Sequence, residues 1–133
     1  MSKQLLQPAH WARPKGYANG VAVTGRQVFV AGMIGWDAQG QFQTDDLVGQ
    51  VRQALQNVVD VLMAASASVE HITRMTWYVV DKQDYLRHLP EIGLVYREVI
   101  GCQFPPLTAL HVLSLMEEHA LVEIEVTAVA VDH

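Results

Sequence analysis

Residues 121–131 read Leu121-Val122-Glu123-Ile124-Glu125-Val126-Thr127-Ala128-Val129-Ala130-Val131, LVEIEVTAVAV. Successive side chains of a strand point to opposite faces. Val122, Ile124, Val126 and Ala128 therefore share one side, and Glu123, Glu125 and Thr127 share the other. Such a strand belongs to a sheet whose apolar side is covered, and helical periodicity elsewhere in the chain shows what covers it.

Leu47, Val51, Leu55, Val58 and Leu62 recur at steps of three and four, one apolar stripe of a helix running to about Ala65. Thr44 supplies a capping hydroxyl, and Asp45 and Asp46 place acids at the positive end of the helix dipole. A second helical stretch opens at Lys82-Gln83-Asp84 and runs toward Val99, with a break or late restart expected at Pro90 and Gly93. Around these helices lie residues 21–24 and 27–34, read as a hairpin turning through Gly25-Arg26. Residues 72–80 are rich in β-branched and aromatic side chains, and residues 107–113 are entered through Phe104-Pro105-Pro106. Residues 35–43 are read as a loop. The order β-β-α-β-α-β-β predicts one α+β domain over residues 1–133, a mixed sheet with two helices packed on one face. Residues 28–34 leave neither side of their strand polar, and Met75, Trp77 and Val79 add apolar area. Two helices cover one face, so the opposite face is expected to meet another subunit.

With 133 residues, a chain of this size buries roughly two thirds of its unfolded surface, enough for a real core. The formal charge is −5 without a basic run, which argues against a nucleic-acid partner. No stretch approaches the ~18 consecutive apolar residues of a membrane span. The N-terminal stretch lacks the apolar region of a secretory signal and Cys102 has no second cysteine to pair with, so a soluble, cytoplasmic protein is expected. Cysteine and histidine are too scattered for a zinc site, glycine-rich phosphate loops are absent and there is no internal repeat. Neither metal nor cofactor is expected.

Several segments together resemble one family. Gly16-Tyr17-Ala18-Asn19-Gly20-Val21 is similar to the opening segment of the Rid (YjgF/YER057c/UK114) proteins, once labelled L-PSP endoribonuclease, and residues 28–34 to their strand ending in Ser-Gly-Gln-Ile. Gln53-Ala54-Leu55 and Asn57 resemble the family helix, Phe104-Pro105 its turn into the site strand, and Val122-Glu123-Ile124-Glu125 its terminal strand. The resemblance spans nearly the whole chain. It implies a chorismate-mutase-like fold and a homotrimer with a central β-barrel. It also implies a small-molecule metabolite bound in clefts between subunits, where the best-known branch hydrolyses enamines and imines to keto acids and ammonia without a cofactor.

That branch carries Pro-Ala-Arg-Ser on the site strand, the arginine gripping a substrate carboxylate; aligned from Phe104-Pro105, Leu107 stands at the arginine's place. An aliphatic side chain cannot imitate a charge-assisted pair, and burying a carboxylate against it costs on the order of several kcal/mol. Ser-Gly-Gln has become Ala31-Gly32-Met33, and the asparagine of the family's second helix has no counterpart near Leu89-Pro90. The expected ligand is therefore larger, flatter or less acidic than an amino-acid imine. Tyr17, Trp36 and Trp77 are available as aromatic walls.

The resemblance implies that Glu123 is the glutamate near the catalytic water, a general base or acid whose pKa an apolar wall would raise. The competing reading makes Glu123 and Glu125 the solvated face of an alternating strand. Tyr17 is either the family's cleft tyrosine or an interface aromatic. Thr108 either keeps the hydroxyl of the family's serine or is a β-branched strand former. Gly32, Met33 and Leu107 complete the expected substrate-binding set. His111 shares a face with Leu107 and Ala109 and is either a proton relay or a satisfied surface or barrel histidine. Cys102 reads as structural, and Trp36-Asp37 as a loop able to cap the cleft. An enzyme acting on C=N and a non-catalytic metabolite-binding or regulatory trimer both remain open.

Overall fold

The computed structural model describes residues 3–131. In chain order it contains β1 (Gln4–Leu6), β2 (Gly20–Ala22), β3 (Arg26–Ile34), α1 (Leu47–Ala64), a 3-10 turn (Val69–His71) and β4 (Ile72–Val79). These are followed by α2 (Lys82–Arg87), α3 (Leu89–Val99), β5 (Leu107–His111) and β6 (Val122–Ala130). The main sheet has the order β3-β6-β4-β5. β6 is antiparallel to both neighbours and β4 is parallel to β5, so the sheet is mixed, as expected. Parallel neighbours need a crossover, and α2 with α3 supplies it.

β6 alternates as read: Val122, Ile124, Val126, Ala128 and Ala130 are buried, and the intervening side chains are not. Against them packs the stripe Leu47, Val51, Leu55, Val58 and Leu62 of α1, every member buried. Gln50 is also fully buried, yet satisfied. Its Nε2 donates to the carbonyls of Thr44 (3.2 Å) and His119 (2.9 Å), and its Oε1 accepts the N–H of Leu121 (2.8 Å). One amide thus joins the start of α1 to the entry of β6. α1 also lies close to the end of β3, where a Cβ on Gly35 would sit 2.6 Å from Gln50 Cβ. Asn57 Nδ2 donates to the carbonyls of Ile34 (3.0 Å) and Trp36 (2.8 Å).

Four local expectations are corrected. Residues 21–24 do not form a hairpin with β3; β2 pairs antiparallel with β1, and Gly25 is required because a Cβ there would collide with the Ala130 carbonyl at the end of β6. Close approach, not a tight turn, explains that glycine. The cap of α1 is Asp46, which accepts from Gly49 N–H at 3.0 Å, while the Thr44 hydroxyl is spent on Asp46. The break expected near Pro90 is present, two helices meeting at His88 with Pro90 in the first turn of α3 where its missing N–H costs nothing, but Gly93 breaks nothing and continues inside α3. Finally, Met75, Trp77 and Val79 lie beneath the helices rather than on the uncovered face. β4 alternates too, turning Arg74, Thr76 and Tyr78 the other way.

The uncovered face is therefore mixed. Phe29, 71% exposed, lies level with Thr127 and Arg74, followed by a row of Glu125, Thr76 and Thr108 and a row of Glu123, Tyr78 and Leu110. Between Val30 and Met33 the register with β6 shifts so that Ala31 and Gly32 face one residue, a β-bulge. Among the described residues no helix is long and apolar enough to cross a membrane.

Replacing Gln50 with Leu leaves the Leu121 N–H and the His119 and Thr44 carbonyls without their buried partner. Each orphaned group costs about 1–3 kcal/mol. Urea unfolding of Gln50→Leu is expected to show a loss of about 2–4 kcal/mol with an unchanged m-value, and half-exposed Gln53→Ala less than about 1 kcal/mol.

Candidate functional site

The diproline before β5 is an anchor. Its prolines have no N–H, but the Pro105 carbonyl accepts the N–H of Ala18 (3.2 Å) and the Pro106 carbonyl that of Met75 (3.0 Å). The first bond ties the 16–19 segment to the sheet edge, which places Tyr17 beside β5. From the helix side, buried Tyr96 donates its hydroxyl to the Gln103 carbonyl and stacks on Phe104 with ring centroids 5.6 Å apart. The result is a cavity of about 370 Å³ at the edge of the uncovered face, lined by Tyr17, Asn19, Arg74, Leu107 and Thr108 among others. It adjoins a larger one of about 640 Å³ reaching Arg13 and Cys102, with Tyr17 and Pro106 in both walls.

Further along the same face lies Glu123, half-buried, opposite Tyr78 on β4. Any Cβ at position 32 would collide with the Glu123 carboxylate, so the bulge glycine is the space that side chain occupies. Glu125 accepts the hydroxyl of Tyr78 at 2.7 Å. That bond, then loss of water contact and the charges of Glu125 and Glu123, push Tyr78 above the usual tyrosine pKa, with Arg74 opposing.

The expected site residues thus fall into two groups. Tyr17, Leu107 and Thr108 line one cavity, and Gly32 and Glu123 meet at the bulge. Thr108 alone links them, sharing Glu123's face while lining the cavity. Leu107 pairs with Met75 and packs on the core side, and Met33, paired with Ile124, does the same. The wall beside Glu123 is therefore Gly32 and Tyr78, not Leu107.

Of the aromatics, Trp77 is 2% exposed in the core, its ring edge-on to Tyr85 and its Nε1 without a partner. Trp36 packs on Phe42 across the loop (5.9 Å), and only Tyr17 lines the cavity. Asp37 builds that loop, accepting from the N–H groups of Gln39 (2.9 Å) and Gln41 (3.0 Å) and from Gln43 Nε2 (2.8 Å). The bond from Gln41 and its fellows hold the Asp37 carboxyl below its usual range. His111 is exposed at the end of β5, and Cys102 is exposed in the larger cavity. Among the described residues no cluster of three His, Cys, Asp or Glu side chains is placed to hold a metal ion.

Arg74 and Tyr78 went unread as site residues. The signal was present in residues 72–80, where Arg74, Thr76 and Tyr78 interrupt an apolar strand at period two.

The family model described as Endoribonuclease L-PSP matches residues 10–130. The chain belongs to this family, the Rid (YjgF/YER057c/UK114) proteins. Among its relatives is the 2-iminobutanoate/2-iminopropanoate deaminase of Capra hircus, 30% identical over 114 residues, covering 85% of this chain and 79% of that one. The solved structure of YyfB from Yersinia pestis, described as a Rid protein of unknown function, superposes with a TM-score of 0.85 at 27% identity, covering 98% and 100% of the two chains. The structure of E. coli TdcF with bound serine superposes with a TM-score of 0.68 at 30% identity, covering 86% and 87%. The α+β architecture is thus the Rid architecture.

Three of this Rid protein's four tyrosines hold their protons above the ordinary value of 10.0: Tyr78 chiefly through Glu125, Tyr85 and Tyr96 through burial. A folded pKa raised above the unfolded one stabilises fully below the unfolded value and is lost as pH rises through the folded one. Stability is therefore expected to fall as pH climbs past about 10. In a tyrosinate absorbance titration, Glu125→Gln should move one step, that of Tyr78, back toward the ordinary value and leave the other two late.

Proposed function

We propose that this Rid protein hydrolyses an enamine or imine, in a cleft completed by a neighbouring subunit of a homotrimer, and that it works in the cytoplasm without a cofactor. The observation that carries the reading is the placement of Glu123. It is a half-buried carboxylate on the uncovered sheet face, given room by a glycine at a bulge and flanked by a row of hydroxyls. The name of the goat relative, a deaminase of 2-imino acids, supports the reaction class, and the serine in TdcF supports an amino-acid-sized ligand.

In this reading Glu123 accepts a proton as water adds its oxygen to the C=N carbon, and the nitrogen takes up a proton as the carbon–nitrogen double bond becomes single. The tetrahedral carbinolamine then collapses: C–N breaks, ammonia leaves and the carbonyl forms. An enamine first takes a proton on carbon to become the imine. The substrate is not held through position 107, which is leucine, and Tyr17, Gly32, Leu107 and Thr108 shape its surroundings. The apolar residues Ala31, Met33 and Leu107, set where the resemblance places polar contacts, favour a second reading, a trimer that binds a metabolite or regulates an enzyme without turning anything over. RNA cleavage is not proposed, since a chain of net charge −5 without a basic run repels phosphate backbones.

Imines generated from a panel of amino acids by an amino-acid oxidase, with ammonia release followed, separate the two readings. Turnover that falls by roughly 100-fold in Glu123→Gln, within the range of general acid–base contributions, supports the enzyme. Gly32→Ala is expected to fall similarly by displacing the carboxylate. Saturable ligand binding without acceleration of any imine would leave the binding trimer. Light scattering is expected to return three times the mass of one 14.8 kDa chain; a monomer would remove the shared cleft.

A further inference from the structure

The smaller cavity holds a cation that no described residue of this chain pairs with. Arg74 is exposed on β4, and among the described residues it makes no hydrogen bond and no ion pair. This occurs on a sheet face that carries two carboxylates, either of which could have paired with it. Glu125, level with Thr76 and diagonal to Arg74, gives one oxygen to Tyr78 instead, and Glu123 lies in the row beyond, against Gly32. No acidic side chain lines the cavity.

The groups left uncommitted there are donors. The hydroxyls of Tyr17 and Thr108 have no partner among the described residues, and Thr108 lies diagonal to Arg74 because Thr76 pairs with Thr108. Diagonal neighbours on one face lie about 7–8 Å apart, a span over which a long guanidinium and a short hydroxyl can hold one small anion between them. Thr73 is not part of this set, since its hydroxyl is spent on the Thr127 carbonyl at 3.0 Å. Asn19, also in the lining, donates to Gln7 Oε1 at 2.6 Å. Leu107 and Pro106 offer apolar contact below.

We propose that Arg74, with the Thr108 hydroxyl, is a carboxylate-binding subsite that sets substrate specificity: it holds the acid group of a small 2-imino or 2-keto acid whose apolar part rests on Leu107 and Pro106. The identity of the ligand as an imino acid rests on the deaminase reading above; the anion site does not. A cation thus enters the cavity from β4, although position 107 on β5 supplies none, and the expectation of a less acidic ligand is replaced.

The test is equilibrium binding of 2-oxobutanoate, a stable keto acid, against its uncharged amide, followed by ligand-observed NMR on the intact protein at low salt. Wild type is expected to prefer the acid. Arg74→Ala should weaken the acid roughly 10- to 100-fold, the loss of a charge-assisted contact, and leave the amide unchanged. Arg74→Lys should recover part of the preference as a point charge without the bidentate fork. Raised ionic strength should erode the preference in wild type and have little effect on Arg74→Ala. Equal binding of acid and amide by wild type, or acid binding untouched by Arg74→Ala with the fold intact by circular dichroism, would overturn the proposal. Arg74-dependent binding without turnover of any imine would uphold the subsite and sink the deaminase reading, and turnover insensitive to Arg74 would do the reverse.

Discussion

β6 is hydrogen-bonded along both edges, to β3 and to β4, so its side chains have only two directions available. Every second one must enter the core beneath α1, and every other one must face away from it. This constraint puts Glu123 and Glu125 on the same surface, and it makes that surface chemically different from the one the helices bury. The core side is driven by apolar burial at about 25 cal/mol per Å² and tolerates few polar groups. Gln50 is accommodated there because three backbone partners satisfy it. The uncovered side has no such restriction, and it carries Arg74, Glu123 and Glu125.

Much of the layout could be read from residue order because it follows from period. The stripe of α1 and the alternation of β6 are local patterns that the packed structure merely uses. What could not be read depended on partners distant in sequence. β2 looks like half of a hairpin with β3, but its hydrogen bonds go to residues 4–6, and no local signal at Gly25 separates a turn glycine from one pressed against a carbonyl of β6. Trp77 and Met75 are strand residues of the right kind whose side is decided by register, and reading Arg74, Thr76 and Tyr78 as their alternates would have turned them inward. The site was legible in the same uneven way. Glu123 and Thr108 fall on one face by parity, whereas the departure of Leu107 and Met33 to the core side follows from the pairing with Met75 and Ile124.

The charge layout of the open face explains how acids and a cation coexist there without cancelling. Glu125 lies between Arg74 and Tyr78 and accepts the hydroxyl of Tyr78, while the guanidinium of Arg74 makes no ion pair with it. A tyrosine is suited to this because its hydroxyl bonds a carboxylate while remaining neutral across the physiological range. The carboxylate end and the cationic end of the face thereby stay separate, one beside the bulge and the other beside the diproline turn.

The contact between Glu123 and Gly32 ties two positions 91 apart in the chain into one heritable unit. A larger residue at 32 requires the side chain at 123 to swing away, shorten or leave, and a glutamate held in this position demands a glycine. A side chain gained at 32 alone is therefore opposed by steric exclusion, because it displaces the carboxylate. Homologues that abandon the acid are free to fill the hole, and those that keep it are not.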